Sequence, residues 1–207
     1  MSVIIDGTFG ITTPSLNVTS NVFYTNVSYT NGYAFSNVAG SKVMTIDNRG
    51  FINKPYQPCF SAWNRGTATM TAATNAWRSW NDTFSNWNSP RWYALHDNGN
   101  NFNTSNGNFT APIAGYYWFS IGLSGDIKNS SYLSFWKNGT YYPPYTLMYE
   151  YNAAASGYSY YVSSTLSYVF YMAAGDTMTG GGYFSSNSWA STVFYDGYVW
   201  ITGYLLA

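Results

Sequence analysis

The chain has 207 residues, of which 21% are aromatic and only 8% are charged, and its formal net charge is zero. An average soluble domain carries about 25% charged residues, so amide and hydroxyl side chains must keep this surface hydrated. Zero net charge gives no electrostatic reason to expect nucleic acid or an anionic membrane as partner, and no apolar run reaches the ~20 residues of a membrane span.

The N-terminal segment, residues 1–55, differs from the rest of the chain. It begins MSVIIDGTFGITTP, without the basic region and apolar core of a signal peptide, so we expect no export by that route. It is polar and repeats Asn-Val at positions 17, 21, 26 and 37. We interpret it as a flexible leader, or as an arm that winds with copies of itself and docks onto a larger partner.

A short hairpin is predicted inside this segment, at SKVMTIDNRGFINKP, with its turn at residues 47–50. Lys54-Pro55 indicates a domain boundary, which leaves residues 56–207 as the main domain. Cys59 is the only cysteine, so an intrachain disulfide and a cysteine-rich zinc site are excluded. We interpret Cys59 as a small buried residue beside Phe60.

A tryptophan-rich segment follows. Flat rings among Asn, Asp and Ser side chains are suited to stacking on sugars, and the candidates for this role are Trp77, Trp80, Trp87 and Trp92. The alternative is that these rings, together with Trp63, close the ends of a β-sandwich or a seam between subunits.

The second half of the chain alternates with period two and carries turn residues about every ten positions, which favours an all-β sandwich or barrel. In GYYWFSIGLSGD one strand face would carry Tyr117, Phe119, Ile121 and Leu123, and the other Tyr116, Trp118 and Ser120. In SYLSFWKNGT, Leu133 and Phe135 share a face and Asn138-Gly139 predicts a hairpin.

The last strands continue this pattern. TLSYVFYMAAGD places Leu166, Tyr168, Phe170 and Met172 on one side and ends at the turn Gly175-Asp176. YDGYVWITGYLLA sets Val199, Ile201, Gly203 and Leu205 against Tyr198, Trp200, Thr202 and Tyr204. Because several strands carry large apolar groups on both faces, we expect one face to be covered by other subunits, and Tyr198, Trp200 and Tyr204 are the interface candidates.

No motif predicts catalysis or a cofactor. His96 is the only histidine and is interpreted as a loop residue at a strand end, and Glu150 has no carboxylate partner for glycosidase chemistry. The glycines of TGGGY, residues 179–183, predict a turn or bulge rather than a phosphate loop. Asp126, Asp176 and Asp196 could contribute to a calcium site, although no loop has the EF-hand spacing.

The run FNTSNGNFTAPIAGYYWFS, residues 102–120, resembles the central motif of the complement component 1q-like, tumour-necrosis-factor-like family. QPCFSAW, WKNGT, AAGDTM and ITGYLLA match further family segments in the same order. The matching positions are Phe60, Phe102, Gly107, Phe109, Pro112, Gly115, Tyr117, Phe119, Ser120, Gly139, Gly175, Asp176 and Gly203. The resemblance spans residues 57–207, and the long insert at 67–90 and the Tyr-rich segment at 141–158 depart from it.

This resemblance implies a jelly roll of about ten strands that assembles as a homotrimer. VMTIDNRGFINKPYQP followed by such a domain also resembles fibre-type virion proteins of marine bacteriophages, especially those of cyanobacteria. We therefore expect a non-enzymatic virion appendage whose N-terminal arm binds other virion proteins and whose jelly roll meets a host glycan. The alternatives are a capsid-decorating fibre without a receptor role and a bacterial secreted lectin-like module.

Overall fold

A computed structural model describes residues 33–36, 42–47, 49–66, 68–70, 76–80, 84–85, 92–127, 131–149, 160–184, 193–194 and 197–206. The chain divides into two compact units, Met1–Lys54 and Pro55–Ala207. Trp87, Glu150 and Asp196 lie outside the described residues, as do the Asn-Val dipeptides of the N-terminal segment.

The first unit contains a three-stranded antiparallel sheet in the order β1-β2-β3, formed by Tyr33–Ser36, Lys42–Ile46 and Ile52–Asn53. The predicted hairpin between β2 and β3 is confirmed. Its turn depends on Asp47, whose Oδ1 accepts hydrogen bonds from the backbone N–H groups of Arg49 and Phe51, both at 2.9 Å. Gly50 completes the turn with a φ of 88°, a conformation that glycine adopts without strain.

The second unit is all-β over its described residues. Its strands are β4 (Cys59–Asn64), β5 (Ala68–Met70), β6 (Ala76–Ser79), β7 (Phe84–Ser85), β8 (Trp92–Asn98), β9 (Phe102–Asn103), β10 (Asn108–Thr110), β11 (Gly115–Ile127), β12 (Ser131–Lys137), β13 (Thr140–Tyr149), β14 (Tyr160–Met172), β15 (Thr177–Phe184), β16 (Val193–Phe194) and β17 (Val199–Leu205).

Two antiparallel sheets form a sandwich. The five-stranded sheet has the order β14-β11-β17-β4-β8, and the six-stranded sheet has the order β13-β12-β15-β10-β9, with β6 also paired to β15. From β10 onward the chain passes repeatedly between the two sheets, which is consistent with a jelly roll. A small third sheet, β16-β5-β7, is built largely from the insert. The predicted all-β sandwich is confirmed.

The core between the sheets follows the predicted alternation. On β11 the side chains of Tyr117, Phe119, Ile121 and Leu123 are buried, and on β17 those of Val199, Ile201 and Leu205 are buried. Phe60 of the five-stranded sheet stacks on Phe109 of the six-stranded sheet, with ring centroids 4.7 Å apart. Aromatic contacts of this kind join the two layers, and the aromatic residues of the predicted motif all lie in the core.

The motif residues divide between core and turns. Phe60, Phe102, Phe109, Tyr117, Phe119 and Gly203 are buried, whereas Pro112, Gly139 and Gly175 are exposed in connections. Asn138 and Gly139 both have positive φ, as expected for the tight hairpin between β12 and β13. Ser120 is also buried, although the alternation places it on the outer face.

Three expectations are corrected. The glycines of TGGGY lie within strand β15, where the ring of Trp80 occupies the space above Gly180: an added Cβ would lie 2.2 Å from that ring. His96 lies within strand β8 rather than in a loop. Cys59 is half-buried, and its Sγ lies 3.1 Å from Nε2 of His96, because the residue faces away from the core on β4.

Tyr168 lies on the predicted side of its strand with the buried Phe170 and Met172, yet nearly half of its surface is exposed. β14 is an edge strand of the five-stranded sheet, and the six-stranded sheet does not fully cover its inward side. The period-two pattern therefore predicts which side of the strand Tyr168 occupies, but it does not predict how far the side chain is buried.

Candidate interaction surfaces

The outer face of the five-stranded sheet is defined by strand register, because directly paired residues point to the same side. Three rows cross it. The first row is Tyr93, Trp63, Trp200 and Gly122. The second row is His96, Ser61, Thr202, Ser120 and Ser167. The third row is Asn98, Cys59, Tyr204, Trp118 and Val169. No residue of these rows is Lys, Arg, Asp or Glu.

Aromatic contacts dominate the first and third rows. Trp63 and Tyr93 have ring centroids 4.9 Å apart, and Trp118 and Tyr204 have centroids 5.3 Å apart. The ring of Trp200 lies over Gly122, whose added Cβ would lie 2.2 Å from it. Tyr204 is 41% exposed. A polar row therefore runs between two aromatic rows, and none of the three rows contains Lys, Arg, Asp or Glu.

The polar row is internally hydrogen-bonded. Ser167 donates to Ser120 Oγ at 2.7 Å, and Thr202 donates to the carbonyl of Phe60 at 2.8 Å. At one end of the polar row, His96 contacts Cys59 of the third row, and the two resemble a catalytic pair in residue types only. Burial, and then the charge of Asp97, raise the pKa of the Cys59 thiol, so it stays protonated at neutral pH. The Asp97 carboxylate accepts backbone N–H groups of Asn101 and Phe102 instead of orienting the imidazole.

The predicted interface residues all belong to strand β17 or its approach. Tyr198 and Trp200 are half-buried, whereas Tyr204 is exposed. Sequence reasoning missed the other rings on this face, especially Tyr116 and Tyr171, which have centroids 5.4 Å apart on β11 and β14. The period-two pattern identified the outward side of each strand, but strand order was needed to bring these rings together.

A second group of rings lies on the outer face of the six-stranded sheet, and we call it the ring cluster. Its members are Trp77, Tyr132, Trp136, Tyr141 and Tyr183. Trp77 stacks on Tyr141 with centroids 4.6 Å apart and an interplanar angle of 6°. Trp77 also meets Tyr183 edge-on at 5.6 Å.

The four sugar-stacking candidates therefore separate. Trp77 belongs to the ring cluster. Trp80 and Trp92 are 1% exposed and pack against each other in the core, so neither presents a face to solvent. Trp92 lies over Gly107, which permits that close approach because it has no Cβ: an added one would lie 2.3 Å from the indole ring. Trp87 lies outside the described residues.

No metal centre emerges: within the described ranges, no three His, Cys, Asp or Glu side chains come together as metal ligands. Asp196 and the side chain of Asp126 lie outside those ranges, and the Asp176 carboxylate is bound by Lys137 and Asn138. Nor does that part of the chain contain a helix long and apolar enough to cross a membrane.

No protein-family model matches this chain, and no curated protein matches it either. Among solved structures, it is similar to the globular domain of the zebrafish complement 1qA protein, with 17% identity, a TM-score of 0.47, and coverage of 73% of this chain and 98% of that one. Murine APRIL matches with 11% identity and a TM-score of 0.46, over 72% of this chain and 99% of its own.

Eiger TNF from S. frugiperda matches with 11% identity and a TM-score of 0.44, over 73% of this chain and 94% of its own. These neighbours are complement 1q and tumour-necrosis-factor-like jelly-roll domains. The sandwich fold of this chain is established by the strand order and register given above.

Proposed function

We propose that this chain is a non-enzymatic structural subunit that self-associates through the outer face of the five-stranded sheet and forms a trimeric, fibre-type appendage of a bacteriophage virion. The observation that carries the proposal is that the three rows on that face are aromatic or polar and contain no Lys, Arg, Asp or Glu. Exposed rings such as Tyr204 and Tyr171 lose unfavourable hydration when another surface covers them.

Self-association fits this face for an electrostatic reason as well. A symmetric assembly brings equivalent residues of different subunits close together, and like charges there would repel. The rows described above contain no Lys, Arg, Asp or Glu, so copies can meet without that cost. The number three comes from the sequence resemblance to the complement component 1q-like family.

The virion setting rests on the sequence resemblance to phage fibre proteins, and host contact rests on surface chemistry. Tyr, Trp, Asn and Ser side chains offer stacking and hydrogen bonds to neutral sugars, with little dependence on salt. Three copies would present three weak sites together and raise avidity. The N-terminal unit would hold the appendage to other virion proteins.

Tyr204→Ala tests the assembly. Because the Tyr204 side chain is 41% exposed in a single subunit, its loss should cost assembly about 2 kcal/mol per subunit and cost folding less. Light scattering should find a trimer for the wild type. On dilution, the variant should dissociate at a higher protein concentration than the wild type does. Tyr56→Ala, an exposed tyrosine outside both sheets, is the control. A monomeric wild type at micromolar concentration would contradict the proposal.

Antibody labelling of purified virions tests the setting, and an unlabelled particle would contradict it. If virions are labelled, the purified protein should compete with them for adsorption to host cells. Labelled virions without competition would favour the decorating fibre. A protein found on bacterial surfaces instead would favour the lectin-like module.

A further inference from the structure

The ring cluster sits beside a row of small residues on the outer face of the six-stranded sheet. Strand register places Ser134 and Ser79 on either side of Gly181. One neighbouring row is Tyr132, Tyr183 and Trp77, and the other is Tyr141, Trp136 and Thr179. Over strands β12, β15 and β6, the small row alone would leave a groove between taller rows.

That groove is covered in this structure. Ser134, Gly181 and Ser79 are all buried although they carry little bulk of their own. Trp77 comes from β6 and Tyr141 from β13, and strands β15 and β12 lie between them. Because the two rings nevertheless stack at 4.6 Å, their contact spans the middle strands and closes the groove.

Two polar atoms next to the groove have no partner. Trp136 Nε1 and Thr179 Oγ1 are buried and make no hydrogen bond. The two residues are direct register partners and share the outer face. A buried polar atom without a partner destabilises the folded state, so such atoms call for an explanation. Thr179 is only 3% exposed, so bulk water does not satisfy it.

The chemistry of these groups selects one ligand class. An indole N–H only donates a hydrogen bond, whereas a threonine hydroxyl donates and accepts, and a sugar hydroxyl can pair with both. The stacked rings supply flat apolar faces for the C–H side of a sugar ring. None of the five cluster residues, nor Thr179, carries a formal charge, which gives no advantage to an ionic ligand.

We propose that the ring cluster is a binding site for a neutral saccharide. The Trp77–Tyr141 contact opens, the sugar ring stacks against the freed faces, and its hydroxyls pair with Trp136 Nε1 and Thr179 Oγ1. The inference rests on the proposed attachment function, since it names the surface and the ligand class for it.

Titration calorimetry on the full chain tests the site. The probes are gluco-, galacto- and manno-hexasaccharides, with a sialylated lactose as the charged comparison. At least one neutral probe should bind, equally well at low and high salt. Tyr141→Ala should weaken binding about 10-fold and Thr179→Val about 3- to 10-fold, while Tyr56→Ala should leave it unchanged.

Thr179→Val also separates a binding role from a structural one. Because valine has nearly the same shape and removes an unpaired hydroxyl, the free energy of unfolding should stay the same or rise. A clear loss of stability would overturn the role given to Oγ1, since it would mean that the hydroxyl already has a structural partner.

The site is overturned if no neutral probe binds, if the charged probe binds better than the neutral ones, or if Tyr141→Ala and Thr179→Val bind as the wild type does. It is also overturned if Tyr141→Ala abolishes the trimer, because another subunit would then cover the cluster. The proposed function would stand without this site if virions are labelled, the wild type is a trimer, and both variants compete for adsorption as well as the wild type does.

Discussion

Asn64 is fully buried and joins the end of β4 to the start of β17. Its Oδ1 accepts the backbone N–H of Val199 at 2.8 Å, and its Nδ2 donates to the carbonyl of Gly66 at 3.0 Å. Its own carbonyl accepts the N–H of Gly197 at 3.1 Å. One amide side chain thus satisfies backbone groups of two segments that are far apart in sequence.

Asn64→Leu should lower the free energy of unfolding by about 2–3 kcal/mol, because it leaves the Val199 N–H buried without an acceptor. Urea denaturation followed by tryptophan fluorescence measures the change. Asn53→Leu, at an exposed position, should alter stability by no more than about 0.5 kcal/mol. Equal effects of the two substitutions would contradict the role assigned to Asn64.

The sequence could predict which rings of β11 and β17 face inward, because period-two alternation is local. It could not predict that Trp80 and Trp92 belong to the core. The burial of Trp80 depends on Gly180, which lies under its ring and is remote in sequence. The burial of Trp92 depends on Gly107, which lies under its ring and is separated from it by a turn. A local pattern of rings among polar residues is the same for a sugar platform and for a core plug.

At the scale of elements, two turns are joined at one end of the sandwich. Lys137, beside the β12–β13 turn, forms an ion pair with Asp176 at 3.0 Å and donates to the carbonyl of Tyr171 at 2.9 Å. Asn138 donates to the same carboxylate at 2.8 Å and accepts the N–H of Thr177 at 2.8 Å. The hydrogen bonds from Asn138 and Lys137 lower the pKa of Asp176 to about 2.

This arrangement predicts an acid-dependent loss of stability. Because the pKa of Asp176 is lower in the folded chain than its ordinary 3.8, its contribution is present above about pH 4 and is lost as the pH falls through about 2. Asp176→Asn should be less stable than the wild type by about 1 kcal/mol at pH 6, and the difference should shrink between pH 4 and pH 2. Denaturation curves across this range measure it; a difference that is independent of pH would contradict the mechanism.

The hairpin at Asn138-Gly139 and the turn at Gly175 were predictable because each depends on a glycine or asparagine with positive φ inside a short segment. The joining of the two turns was not, since it requires β12 and β15 to be neighbours. The prediction of a turn or bulge at the glycines of β15 was wrong for the same reason. A run of glycine predicts a turn unless a distant ring such as that of Trp80 needs the space.

The sandwich carries exposed or half-buried aromatic rings on the outer faces of both sheets, and neither the three rows nor the ring cluster contains Lys, Arg, Asp or Glu. The outer face of the five-stranded sheet is the proposed surface for self-association, and the ring cluster is the proposed site for a ligand. The two surfaces belong to different sheets, so a variant on one should leave the other intact. Sequence reasoning predicted the excess of rings but not their separation onto two faces.

Removing residues 1–54 should leave a soluble trimer, because the unit Pro55–Ala207 contains both proposed surfaces and every core residue found among the described positions. Circular dichroism should retain the β signal, and light scattering should give three copies. The shortened chain should no longer join virions. A shortened chain that is monomeric while the full chain is trimeric would assign trimerisation to the N-terminal segment instead.

In the part of the chain that the structure describes, three indole rings lie directly over glycines: Trp80 over Gly180, Trp92 over Gly107 and Trp200 over Gly122. The two residues of each pair constrain each other. Even one methyl group on the glycine would collide with the ring, and loss of the ring would leave the glycine backbone uncovered. As such chains diverge, the two positions should change together. Paired loss of tryptophan and glycine in distant relatives would therefore trace this packing where overall sequence similarity has faded.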